Sequence, residues 1–141
     1  MAALFVLDTD HLSLFQRGHD SLLPRIRAIP ASRIAITIIT VEEMLQGRLA
    51  QVRRASQGED RINAYTWLEK TVLFFQAFQI LSFDAEAERR YANLVARRLG
   101  IGAQDLKIAA IALSHNAVLV TRNRRDFNRV PELSLDDWTI K

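Results

Sequence analysis

Four acids in this sequence fall where a fold could gather them: Asp8, Glu43, Asp105 and Asp126. Clustered carboxylates repel, and left uncompensated they raise one another's pKa. A hard divalent cation removes that penalty. Mg²⁺ prefers a few carboxylates, with water and substrate phosphate completing its shell. Such a site turns water into a nucleophile and stabilises charge on a phosphoryl group. Each acid also has a plainer reading. Taken singly, Asp10, Glu43 and Asp105 at helix starts read first as caps or as partners of the helix macrodipole. Asp8 resists that reading, because a cap does not need a buried strand tip.

The elements that must position these acids are visible as apolar runs. Leu4–Leu7, Ile34–Ile39 and Ala117–Val120 have strand character, with a weaker run at Phe78–Phe83. The segments between them carry helical spacing. Near-continuous apolar strands separated by helices predict an α/β fold with a parallel sheet covered on both faces. Asp8 then sits at the C-terminal tip of the first strand, where open α/β sheets keep their chemistry. Glu43 and Asp126 approach the same edge, each after a strand. Asp105 precedes a strand and has to reach the edge from the start of its helix.

Helix boundaries follow from capping and breaking residues. Asp10 is read as the N-cap of a first helix that runs to about Arg17 and stops at Gly18. A short helix covers Ser21–Ala28. Thr40 is read as the cap of a long helix, with Glu43 at capping-box spacing. A break at Gln57-Gly58 and a restart over Arg61–Phe75 predict a helical hairpin standing off the sheet. Asp84 caps a helix to Leu99, and Asp105–His115 forms another. Val130–Leu133 reads as loop, and Leu135–Ile140 as an edge strand.

The 141 residues fit one domain, residues 1–141, of ordinary globular composition. The chain has no Cys, which excludes disulfides, thiolate zinc sites and cysteine nucleophiles and fits a reducing cytoplasm. No apolar run approaches the roughly 20 residues a membrane helix needs, so no membrane partner is expected. The formal charge is +3 and nearly all the cations are arginine. Arginine suits bidentate contact with phosphate, so nucleic acid or an acidic protein is the partner this balance favours, against a merely solvated surface.

Four stretches carry a resemblance to a known family. Val6-Leu7-Asp8-Thr9-Asp10-His11-Leu12 resembles the opening motif of PIN-domain ribonucleases, especially VapC-type toxins of toxin–antitoxin pairs, with Asp10 where that motif usually has Asn. Thr40–Gly47 resembles the second motif and selects Glu43, four residues before the Gly, over Glu42. Gln104–Ala110 resembles the third, around Asp105, and Thr121–Phe127 the fourth. In some relatives the fourth acid stands where Asn123 stands here; in others it stands at the Asp126 position. The resemblance covers essentially the whole chain.

That resemblance implies a three-layer α/β/α PIN-like fold with a mainly parallel central sheet, a homodimer, and Mg²⁺ or Mn²⁺ dependence. It implies an endoribonuclease toxin, acting on RNA and neutralised by a cognate VapB-type antitoxin. Asp8 and Asp105 would be direct metal ligands. Glu43 would hold a water at the metal or act as general base, and Asp126 would support a second metal or its water. Thr9 would fix a ligand or the scissile phosphate, or else make only a local turn bond. Asn123 would orient water or substrate.

Further features divide between site and scaffold. Arg122, Arg124, Arg125 and Arg129 flank the fourth motif and are read as holding RNA phosphates or an acidic antitoxin tail. Arg48, Arg53, Arg54 and Arg61 are read as a helix surface. His11 is read as packing or capping. Trp67, Phe74, Phe75 and Phe78 are read mainly as core, against a dimer or antitoxin surface. Two rival functions stand beside the nuclease. One is a haloacid-dehalogenase-like phosphatase with Asp8 as nucleophile, although Leu12 and the lack of a later Gly-Asp pair depart from that motif. The other is a non-catalytic RNA- or protein-binding PIN module.

Overall fold

The computed structural model describes residues 3–140. Five short strands form one sheet: β1 (Phe5–Leu7), β2 (Ile34–Thr37), β3 (Gln79–Leu81), β4 (Val118–Val120) and β5 (Ser134–Asp136). Their order is β3-β2-β1-β4-β5 and every pairing is parallel. Seven α-helices connect them: α1 (Thr9–Gln16), α2 (Leu22–Ala28), α3 (Ile38–Arg54), α4 (Gly58–Phe75), α5 (Ala85–Ala96), α6 (Ala103–Ser114) and α7 (Arg124–Phe127). Among the described residues no helix is long and apolar enough to cross a membrane.

Side-chain alternation along the strands separates two cores. Phe5 and Leu7, with Ile34, Ile36 and Val120, pack beneath α1–α4 together with Leu12, Leu22, Met44, Phe75 and Trp138. Val6, Ala35 and Leu119 face the opposite way and pack against α5 and α6, where Ala87, Leu94, Ile108 and Ile111 are buried. Both faces are therefore covered, which is why the strands read as continuous apolar runs. This is the three-layer α/β/α arrangement expected from the sequence. The helices α3 and α4 pack against each other as the expected hairpin, and Phe78 meets Phe15 and Phe74 edge-on at its base.

Several boundaries differ from the sequence reading. Strand β2 ends at Thr37, and α3 begins at Ile38, so Thr40 is not its cap. The cap is Thr37, whose hydroxyl accepts from the Thr40 backbone N–H at 3.1 Å. Asp10 is not a cap either: the N-cap of α1 is Asp8, and Asp10 lies in the first turn. Helix α5 is capped by Asp84 as expected but ends at Ala96, because Arg98 and Gly100 turn the chain through positive φ. The final strand covers Ser134–Asp136 rather than running to Ile140. The single turn of α7 was not anticipated; Asn123 caps it by accepting from the Asp126 N–H.

Candidate active site

The chain leaves β1 toward β2 on one side and leaves β4 toward β5 on the other. Between β1 and β4 the sheet thus has a topological switch point, where α/β sheets open a crevice beyond their C-terminal ends. Asp8 follows β1 directly, and Thr121 follows β4 directly. A cleft of about 460 Å³ opens there, lined by Asp8, Thr9, Asp10, Glu43, Asp105, Arg122 and Asn123, with Ser13, Leu14 and Arg17 at its rim. Asp105 reaches this edge for a simple reason. Helix α6 feeds a parallel strand, so it must start at the C-terminal edge before running back to the beginning of β4.

Asp8 is only 7% exposed. The Thr9 backbone N–H donates to its Oδ1 at 2.8 Å, and the Thr121 hydroxyl donates to its Oδ2 at 2.8 Å. These bonds favour the charged carboxylate but do not prevail. Burial, then the neighbouring charge of Asp10, push Asp8 up to about 7 against those bonds, with Asp105 adding to the rise. Asp105 is raised as well, first by burial and then by the charges of Glu43, Asp126 and Asp10.

Glu43 is held by threonines. The Thr9 hydroxyl donates to Glu43 Oε1 at 2.7 Å and lies 3.0 Å from the Thr40 hydroxyl. Since Thr9 spends its proton on Glu43, Thr40 is the donor to Thr9. The Thr37 hydroxyl extends the chain more weakly, at 3.5 Å from Thr40. Thr37 and Thr40 are fully buried, so the chain is shielded from water and its direction is fixed.

Asp126 does not line the cleft. Its Oδ2 accepts from Asn123 Nδ2 at 3.1 Å and its Oδ1 lies 3.8 Å from Arg129. It acts on the site at one remove, through Asn123 and through its charge on Asp105. Of the four arginines around the last motif, Arg122 lines the cleft. Arg124 instead lies 3.8 Å from Asp136, and Arg129 reaches Asp126 and the Gly100 carbonyl. The acid that sequence reasoning missed is Asp10, which lines the cleft. His11, fully buried, fixes it: His11 Nε2 accepts from the Trp138 backbone N–H, so Nδ1 carries the proton and donates to Asp10 Oδ1 at 3.1 Å. Thr121 was missed too, although its place after β4 matches that of Asp8 after β1.

The residues fit a hard divalent cation. Asp8, Glu43 and Asp105 have no cationic partner within ion-pairing distance among the described residues, yet Asp8 and Asp105 are both raised by burial and by neighbouring carboxylate charge. All the donors are oxygens. No three His, Asp or Glu side chains among the described residues close into a cage around one point. An ion held by these few carboxylates in the cleft would complete its shell with water and substrate oxygens.

Comparison with known proteins identifies the family. A sequence model of the PIN domain matches residues 5–133. Ribonuclease VapC2 of Rickettsia felis is 30% identical over 141 aligned positions, covering 96% of this chain and 98% of the relative. The structure of VapBC-1 from nontypeable Haemophilus influenzae superposes with a TM-score of 0.78 at 27% identity, over 96% of this chain and 98% of the other. VapBC2 from Rickettsia felis, solved bound to a DNA fragment from its promoter, superposes with a TM-score of 0.76 at 27% identity, over 96% and 98%. With ribonucleases rather than phosphatases as its relatives, the reading of Asp8 as a phosphoryl-accepting nucleophile falls away. The family match runs from the first strand to the loop before the last strand, and the chain belongs to the PIN domain family, among the VapC ribonucleases.

Proposed function

We propose that this chain is a divalent-cation-dependent endoribonuclease, the toxin of a toxin–antitoxin pair, with Asp8, Glu43 and Asp105 as the acids of its hydrolytic site. One observation carries the reading: carboxylates from the end of β1, from α3 and from the start of α6 line a single cleft at the switch point of the sheet. The whole chain is read as one domain built around that cleft.

Mg²⁺ is the proposed ion, with Mn²⁺ as its substitute, because every donor is a hard oxygen. Asp8 and Asp105 hold it, and Asp126 supports the arrangement through Asn123. When bound, the ion supplies positive charge to the scissile phosphate and lowers the pKa of the attacking water. Glu43 takes the water's proton; Thr9 pins one of its oxygens and leaves the other to accept. One P–O ester bond breaks as the bond from water forms, and the leaving ribose oxygen takes a proton from solvent. Arg122 and Asn123, on the cleft wall, hold the phosphate and orient it.

The proposed partners are RNA, a cognate VapB-type antitoxin and a second copy of the chain. The VapBC complexes among its structural neighbours support the antitoxin. For the second copy, the support is an apolar stripe on α4, where Ile62, Tyr65, Val72 and Leu73 are exposed on one face. A cytoplasmic location goes with this reading. The test is cleavage of a labelled RNA by the purified, chelator-treated chain. No cleavage is expected until Mg²⁺ or Mn²⁺ is restored; undiminished cleavage in chelator would contradict the proposal.

A further inference from the structure

A second groove, of about 410 Å³, leads away from the cleft between α1 and α3. It shares Thr9, Ser13, Arg17 and Glu43 with the cleft, so the two form one continuous channel. Its far wall is basic, carrying Arg48 and Arg54 beside Arg17. None of these three guanidiniums makes an ion pair among the described residues.

Arg48 is the most constrained of them. Its Nε donates to the buried Thr71 hydroxyl at 3.0 Å, and its terminal nitrogens donate to Gln51 and Gln16 at 3.2 and 3.1 Å. The guanidinium also lies 4.7 Å from the centre of the Trp67 ring. All these partners are neutral, so they fix the guanidinium without cancelling its charge. Burial, and after it the charge of Arg17, depress the pKa of Arg48, which remains a cation. The fold therefore holds the like charges of Arg17 and Arg48 close enough to act on each other, with no ion pair among the described residues to cancel either. Gly47 completes the groove: a Cβ there would meet nothing within 4 Å.

We infer that this groove binds the RNA strand next to the scissile bond, with Arg17, Arg48 and Arg54 sharing its phosphates and Gly47 leaving room for the backbone. The inference rests on the proposed ribonuclease reading. Continuity with the hydrolytic cleft favours RNA over an acidic protein segment. A strand laid across the carboxylates has to leave the site, and this channel offers the charge that carboxylate-rich cleft lacks.

The test compares the wild-type chain with Arg17→Gln/Arg54→Gln, Arg54→Lys and Gly47→Glu. Binding of a fluorescent single-stranded RNA is read by anisotropy, and KM and kcat by cleavage. The double variant should bind about tenfold more weakly, with the loss in kcat/KM carried by KM. Its log–log salt slope should flatten by about 0.7 for each phosphate contact removed. Arg54→Lys, which keeps the charge, should restore much of the affinity lost at that position. Gly47→Glu should bind RNA more weakly while melting no lower than wild type, because glycine is the poorer helix former. RNA affinity and salt slope unchanged in the double variant would overturn the inference, as would a loss confined to binding of the cognate antitoxin. Failure of the nuclease reading would look different: the wild-type chain itself would cleave nothing, while anisotropy still reported on the groove.

Discussion

Asp8 holds a proton far above the ordinary carboxylate range because the fold buries it beside Asp10 and near Asp105. That has a measurable consequence in the metal-free protein. The folded state binds the Asp8 proton up to about 7, whereas the unfolded chain releases it near 3.8. Between those values the folded state carries more protons, so stability falls as pH rises through the window and stays lower above it. Asp105 acts with the same sign. The Asp8 share is on the order of 4 kcal/mol. In chelator, the melting temperature of wild type should therefore drop relative to Asp8→Asn between about pH 4 and pH 7 and level off above it. Saturating Mg²⁺ should remove the drop, because the ion takes the place of the proton. A gap between wild type and variant that stays constant with pH would show that Asp8 is not strained in this way. Asp8, Glu43 and Asp105 were legible in the sequence because each stands beside an apolar run that fixes its place in the fold. The groups that hold them were not. Thr121 meets Asp8 across 113 positions and Thr40 meets Thr9 across 31, and no local pattern encodes such pairs.

At the scale of elements, the start of α3 decides where Glu43 lies. Ile38 and Ile39 are β-branched and apolar, and they follow Ile34–Thr37 without a break, so the sequence reads them as more strand. Thr37 overrides that reading by capping the helix with its hydroxyl. The earlier start puts Glu43 in the second turn rather than the first, level with Thr9, and replaces a local capping box with a bond between α3 and α1. Thr37→Ala removes the cap and the far end of the threonine chain. It should cost about 1 kcal/mol of stability by denaturant unfolding, with reduced cleavage as Glu43 loses its support. A variant as stable and as active as wild type would contradict this account of α3. The same scale explains the unforeseen α7: four residues show no periodicity, and only the Asn123 cap marks it.

For the whole molecule, topology does what no single motif does. Returning from β3 at one edge to β4 beside β1 opens the switch point, and the carboxylates are the residues that this crossing brings together. The parallel sheet and its layers were legible because both faces are buried and the strands read as apolar runs. Asp105 precedes its strand in sequence, and it reaches the cleft, as expected, from the start of α6. On the other face of the sheet from α5 and α6, α1 packs against α3 and the two wall the basic channel beside the acidic cleft. A negative site for a cation and a positive path for a polyanion meet at Thr9 and Glu43. The most direct test of the central claim is metal-dependent cleavage of RNA by Asp8→Asn and Asp105→Asn, each checked by circular dichroism for a native fold. Both should lose at least about 100-fold in rate at saturating Mg²⁺ while remaining folded. A well-folded Asp8→Asn protein that cleaves RNA at the wild-type rate would contradict the account.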